Sequence, residues 1–409
     1  SFEHSFGCFV QSGFGLLTET GSSSVSSFSF FTKISTGMNE QYLFNLDEIE
    51  SSNFDDFKDR AIEEGKDDTD SVMPPPDIVA FNEQRSCADI YRMYVKKQID
   101  INPDFQRGEV WNNKSQTLFV DSLIKQLPIP SLCISLDIKT QKRLVIDGLQ
   151  RITSIIKFLD AEKDWKLSTT EDVDSRLSGK KVSEIKKENE SLFETLENVT
   201  IPITVLRCNY DDDNHMKYLF QIFHRLNSGG NKLYNQEIRN CIYQGTFNTL
   251  LKELAREDSW LAFADTNIEK VEKARFNNEE RILRFFAFYD DYELYRGKLA
   301  VFLNNYMYKN KKLDETQVTS YKELVLSTLS IAVKIEVKVT SKNVADALLV
   351  GIAKNICTLK DCSNEYITSK YNAMITEPEF SDEALQEGLG STEKVKSRIK
   401  KAIDVFSND

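Results

Sequence analysis

Histidine is nearly missing from this chain: three residues in 409, at positions 4, 215 and 224. An HNH-type nuclease beyond residue 224 is thereby excluded, because that chemistry needs paired histidines for metal and base. Cysteine shows no pairing pattern. The seven lie at 8, 87, 133, 208, 241, 357 and 362, odd in number and without C-x-x-C spacing. They read as free thiols of a reducing cytoplasm, and Cys357 with Cys362 makes a poor zinc set when histidine is so scarce. No apolar run is long enough to span a bilayer, so no membrane segment is expected. An excess of basic charge is missing too, the net charge being −12. That charge is unevenly placed: residues 47–70 hold eleven acids and three bases, a net of −8. A low overall charge so localised leaves room for a basic ligand-binding face elsewhere.

Composition divides the chain. Residues 1–37 are rich in Ser, Gly and Phe, with Lys33 as the only Lys or Arg. They lack the basic start and continuous apolar core of a secretory signal. The first methionine is Met38, and we expect 1–37 to be a non-native or disordered extension ahead of a native start there. Residues 38–83 read as an acidic arm closed by Pro74-Pro75-Pro76, a stiff extended spacer. A functional alternative is an arm that masks a basic groove as a nucleic-acid mimic; the plainer reading is a solvated charge run.

From about residue 84 the pattern becomes compact. A helix over 87–95 and a strand at 99–101 precede an irregular stretch from Pro103. Asn113, with Gln116 three residues on, reads as the cap of a helix burying Val120, Leu123, Ile124 and Leu127. Strands follow at 132–136 and 143–146, then a charged helical insert over 160–198. The β-branched run 198–206 is the clearest strand, and Pro202 places it at a sheet edge. Helices then follow at 216–226, from 235, and at about 246–256, 278–295, 298–310, 314–337, 341–355, 383–387 and 391–406. The expected class is α+β: a small mixed sheet with helices over 84–210, then an all-α helical bundle over 211–409.

The chain is organised around Lys142 to Ile156. This stretch reads as a buried strand, an Asp147-Gly148 turn, and a helix whose Ile152, Ile155, Ile156 and Leu159 share one face. Gly148 permits a tight turn or close approach of a ligand. The helix start offers free N–H groups beside Arg151, which suits an anion, above all a phosphate. Taken alone, the segment fits an ordinary Asp-Gly turn with a solvated arginine at least as well.

Three blocks together resemble one family. They are Pro103-Asp104-Phe105-Gln106-Arg107-Gly108-x-Val110-Trp111, then Val145-Ile146-Asp147-Gly148-Leu149-Gln150-Arg151, then Phe223-His224-Arg225-Leu226-Asn227-Ser228-Gly229-Gly230 continuing to Gln236-Glu237-Ile238-Arg239-Asn240. In order and content they are similar to the DUF262 family, the N-terminal module of GmrSD-type modification-dependent restriction enzymes. Phe302 to Met307 is a weaker fourth echo. The resemblance covers about 85–310. It implies a ParB/sulfiredoxin-like fold in which a strand–turn–helix cradles a nucleotide phosphate.

Carried over residue by residue, the resemblance implies a nucleotide site made of Gln106, Arg107, Asp147, Gly148, Gln150 and Arg151. Asp147, Gln150 and Arg151 would serve catalysis: Asp147 orients the turn or a metal-bound nucleotide, Gln150 bonds phosphate or water, and Arg151 neutralises phosphate charge. The implied cofactor is a nucleoside triphosphate with a divalent cation, Mg²⁺ being the expected one, and no protein-held metal is expected. Trp111 is expected in the core rather than as a stacking platform. Arg225, Asn227 and Arg239 either line the same pocket or hold the architecture. One departure stands out. The family pattern is Asp-Gly-Gln-Gln-Arg, and Leu149 replaces its first glutamine; it either points into the core or marks weakened hydrolysis.

The leading functional expectation is a cytoplasmic nucleotide-binding, NTP-hydrolysing module in DNA-directed restriction or phage defence. DNA, a separate nuclease subunit and a second copy of the chain are its expected partners. The runner-up is a non-catalytic DNA-binding or regulatory subunit of the same fold. A third is a DNA-nicking nuclease using its own ParB-like site.

Overall fold

A computed structural model describes residues 73–101, 111–160, 164–226, 233–274, 276–335, 339, 341–385 and 388–407. The expectations for 1–37, for most of the acidic arm, and for Gln106, Arg107 and Asn227 lie outside the described residues.

The strands β1 (Val79–Ser86), β2 (Ile99–Asp100), β3 (Leu132–Asp137), β4 (Arg143–Asp147) and β5 (Thr200–Cys208) form one mixed sheet in the order β1-β5-β3-β4-β2. β3 and β4 are an antiparallel hairpin, β5 lies parallel to β3, and β1 closes antiparallel on β5. The α+β class is as expected. β5 is not an edge strand, however, because it pairs on both sides. Pro202 sits one residue before the first β3 pairing, Leu132 with Ile203, where a missing donor costs least. The sheet also begins at Val79, upstream of 84. Val79 and Phe81 remain exposed on this strand, so it carries none of the alternation that marks a half-buried one.

Helices α1 (Cys87–Val95) and α2 (Asn113–Ile124) pack against α3 (Leu149–Leu159), which follows β4 directly. α3 buries Leu149, Ile152, Ile155, Ile156 and Leu159, each contributing about 1.5–3 kcal/mol. The cap of α2 is Asn112, whose Oδ1 accepts from the Ser115 N–H at 2.8 Å, one residue earlier than expected. α2 ends at Ile124, and Leu127 lies past it, half exposed. Among its described residues the insert is helical only in its second half, as α4 (Val182–Glu188) and α5 (Glu190–Asn198).

After β5 the described chain is helical. α6 (Asp213–Leu226), α7 (Asn235–Ile242), α8 (Thr246–Leu254), α9 (Asp258–Phe263) and α10 (Ile268–Lys273) lead to α11 (Asn277–Asp291). Then come α12 (Leu299–Asn310), α13 (Glu315–Ala332), α14 (Lys342–Lys354), α15 (Ile356–Leu359), α16 (Asn364–Ile375) and α17 (Thr392–Phe406). α16 was not anticipated from the sequence, and the stretch near 383 is a turn rather than a helix.

Sheet and bundle share a polar seam within one compact unit, Ser51–Asp409. The Lys311 ammonium donates to the Tyr210 carbonyl at 2.7 Å, and the Tyr308 hydroxyl donates to that of Asp211 at 2.6 Å. Gln244 Nε2 reaches Asp100 at 2.7 Å. Gly245 carries φ 155° beside this seam, and a Cβ there would lie 2.0 Å from the Lys311 carbonyl oxygen.

Candidate functional site

The β4–α3 junction builds the site. β3 and β4 shift register between Cys133 and Ile134, so Cys133 faces Asp147 while Ile134 faces Val145. Such an irregularity re-aims the side chain beside it. Asp147 ends β4 with a side chain 44% exposed. Gly148 then turns the chain at φ 93° and caps α3 without any side-chain acceptor. A Cβ on Gly148 would lie 2.2 Å from Leu132 Cδ2 and 3.0 Å from Arg151 Nη2. Glycine is therefore required twice, by the backbone and by the space.

Arg151 folds back over this turn. Its Nη2 donates to Asp147 Oδ2 at 2.6 Å, and its Nη1 donates to the Pro130 carbonyl, with Ser131 O at 3.5 Å. The guanidinium thus ties the α3 start to the loop before β3 and is largely buried. A phosphate approaching the turn meets a cation already paired with a carboxylate and two carbonyl oxygens. Binding there requires exchanging at least one of these contacts.

Gln150 Oε1 accepts from the Trp111 N–H at 3.2 Å, which joins the second sequence block to the end of the first. Trp111 is partly buried and packs edge-on against Phe119, ring centroids 5.6 Å apart, at the margin of the core. Leu149, where the family pattern has glutamine, is buried. Further along α3, the Lys157 ammonium donates to Gln116 Oε1 at 2.8 Å and lies over the Trp165 ring; burial holds its pKa below the usual lysine value. Burial, with the Asp147 charge adding to it, pushes the Cys133 thiol up to about 12, so it is no nucleophile near neutrality.

No group of three or more His, Cys, Asp or Glu among the described residues could hold a metal ion. The turn offers one carboxylate, Asp147. A resident cation does not fit so small a donor set, whereas a Mg²⁺ carried on a nucleotide's own phosphates needs only one or two protein carboxylates.

The third block behaves differently from the second. Arg225 is exposed at the end of α6. Arg239 is enclosed, 1% exposed, donating to Asn304 Oδ1 at 2.8 Å and to Gln236 Oε1 and Glu280 Oε2 at 3.0 Å each. Burial lowers its pKa while Glu280 opposes the shift. Arg239 therefore joins α7, α11 and α12 inside the bundle and faces no open pocket with Arg225. Asn304 belongs to the fourth echo, so that echo and the third block meet through this bond. Glu237 accepts from the Tyr234 N–H at 2.7 Å, holding the start of α7. Sequence reasoning did not foresee Glu280 as a partner, since nothing local marks a contact 41 residues away.

Residues 88–244 match the family of the GmrSD restriction endonuclease, N-terminal domain. Over these residues the chain is similar to that N-terminal domain. The match takes in all three sequence blocks and stops before Asn304, so Arg239 finds a partner outside the matched segment. No curated protein matches the chain, and no solved structure does. Among the described residues no helix is long and apolar enough to cross a membrane.

Proposed function

We propose that this GmrSD-like domain binds a nucleoside triphosphate at the Asp147–Arg151 turn and serves a DNA-directed, restriction-type defence activity. One observation carries the reading. Gly148 opens α3 in a left-handed conformation with no side-chain cap, leaving the first-turn N–H groups beside the Asp147–Arg151 pair. Helix starts of this kind receive phosphate oxygens, and an arginine at the rim adds charge-assisted bonds. Arg151 would release its carbonyl contacts to meet the phosphate, while Asp147 would turn to the cation that the nucleotide brings. Gln150, already holding the Trp111 N–H, would position the 111–113 segment against the bound group.

The second reading, binding without turnover, is favoured by Leu149. Its side chain packs in the core, so the turn lacks the extra polar group that the family pattern supplies. In that case the chain acts as a nucleotide- or DNA-responsive regulatory subunit, and cleavage belongs to a partner.

The test is equilibrium binding of labelled ATP, GTP, CTP and UTP to the full chain, followed by phosphate release with and without DNA. Binding with release supports the enzymatic reading, and binding without release supports the regulatory one. Absence of any nucleotide binding rejects the enzymatic reading and the nucleotide-responsive form of the regulatory one.

A further inference from the structure

The edge of the sheet carries a surface that the turn does not use. β1 closes the sheet on β5, and among the described residues no strand pairs with its other side. A free edge presents a row of N–H and C=O groups that a further strand can take up, and proteins usually blunt it with proline, lysine, a bulge or short length. β1 has none of these. It runs eight residues, Val79-Ala80-Phe81-Asn82-Glu83-Gln84-Arg85-Ser86, and pairs with β5 in unbroken register. Val79 and Phe81 are left 50% and 39% exposed.

Which main-chain groups face outward follows from β5. The Cys87 N–H donates to the Val199 carbonyl at 2.9 Å. By alternation, Arg85 with Ile201 and Glu83 with Ile203 are then hydrogen-bonded pairs of the ladder. Pro202, opposite Gln84, agrees: it has no N–H, and its carbonyl accepts from the Ser131 hydroxyl on the β3 side at 3.2 Å. Ala80, Asn82 and Gln84 therefore turn their N–H and C=O groups to the free edge. The side chains of Val79, Phe81, Glu83 and Arg85 share the face on which β5 buries Ile201, Ile203 and Val205.

We propose that β1 pairs antiparallel with β1 of a second copy of this chain, about a two-fold axis at Asn82. Such a pairing sets each outward-facing residue against another outward-facing one. Centred on Asn82, it joins Ala80 to the second copy's Gln84 and Asn82 to its own counterpart, and it takes in Val79 to Arg85. Phe81 then lies opposite Glu83, and Val79 opposite Arg85, of the second copy. Glu83 and Arg85 are already joined within each strand by bonds of 2.9 Å. Together they bring aliphatic stems rather than a net charge to the exposed Val79 and Phe81. Centring on Glu83 would set two acids face to face, and centring on Phe81 or Gln84 leaves more of the strand unpaired. The strand is complementary to itself, which makes a second copy its occupant. This assignment is independent of the nucleotide reading, because it uses no residue of the 147–151 turn.

Sedimentation equilibrium of the full chain at tens of micromolar should show a dimer. Gln84→Pro removes an outward N–H while sparing the β5 ladder; it should weaken the dimer by about ten-fold or more, with the urea midpoint little changed. Asn82→Cys should form disulfide-linked dimers on mild oxidation, because a hydrogen-bonded cross-strand pair sets its Cα atoms about 5.5 Å apart. In Gln84→Cys the two thiol-bearing positions lie about 13 Å apart along the strands, so this variant should crosslink no more than the parental chain. A parental chain that stays monomeric, a dimer that Gln84→Pro leaves as tight, or crosslinking through position 84 and not 82 would overturn the assignment.

Discussion

Replacing Gly148 with alanine tests the turn most economically. The backbone there has φ 93°, a conformation that costs an L-residue about 1–2 kcal/mol. The added Cβ would also lie 2.2 Å from Leu132 Cδ2, on a side chain that is fully buried. Restoring ordinary contact requires Leu132 to retreat by more than an ångström into a filled core, an overpacking cost of about 1–3 kcal/mol. The two effects act on different coordinates and together predict a loss of about 2–5 kcal/mol, a large share of the roughly 5–15 kcal/mol that holds a typical protein folded. Urea unfolding followed by circular dichroism would read the change as a lower midpoint at unchanged slope. Leu132→Ala removes the obstructing atom at its own cost of about 2–5 kcal/mol. The double variant should therefore lose less than the sum of the single losses, by about 1–3 kcal/mol. A Gly148→Ala protein within about 0.5 kcal/mol of wild type, or strict additivity with Leu132→Ala, would refute the account of this turn.

Arg239→Met should destabilise the chain by about 3–5 kcal/mol, since it removes the shared donor to Glu280 and Asn304 from a largely buried network; Arg239→Met with Glu280→Gln together should recover part of that in the same urea assay. Leu149→Gln, offered as restoration of the family pattern, should cost about 1–3 kcal/mol by burying an unmatched amide, and phosphate release should not rise; a faster, equally stable enzyme would contradict the core placement of Leu149. Cys87, Cys133 and Cys208 have thiols pushed up to about 12, chiefly by burial. A thiol raised in the fold contributes stability that is complete below its unfolded value of 9.0 and is lost as pH climbs toward the folded value. The urea midpoint should accordingly fall between pH 8 and pH 11, and less steeply in Cys208→Ala. At pH 8 a thiol reagent should modify exposed Cys357 long before these three.

The elements that could be read from sequence were those whose own residues carry the reason for the shape. Ile152, Ile155, Ile156 and Leu159 announced α3, and Asp147-Gly148 announced the turn before it. The glycine's role as a space requirement was not readable, because Leu132 arrives from another strand. Nor was the restraint on Arg151: main-chain carbonyls at 130 and 131 leave no trace in residue type. β1 escaped notice because an exposed edge strand has no buried face to impose alternation. Pro202 misled for a related reason, since one missing donor at the end of a ladder looks the same in sequence as a proline at a sheet edge. The third block was legible through its resemblance to the family pattern, but the burial of Arg239 followed only from contacts with α11 and α12.

The central claim is that the start of α3 receives a nucleotide phosphate with Arg151 as its cationic partner. Labelled nucleotide binding to wild type and Arg151→Ala, measured side by side on protein shown to be folded, tests it directly. The account predicts binding by wild type and a loss of at least ten-fold in the variant. Equal affinity in the two proteins would contradict it.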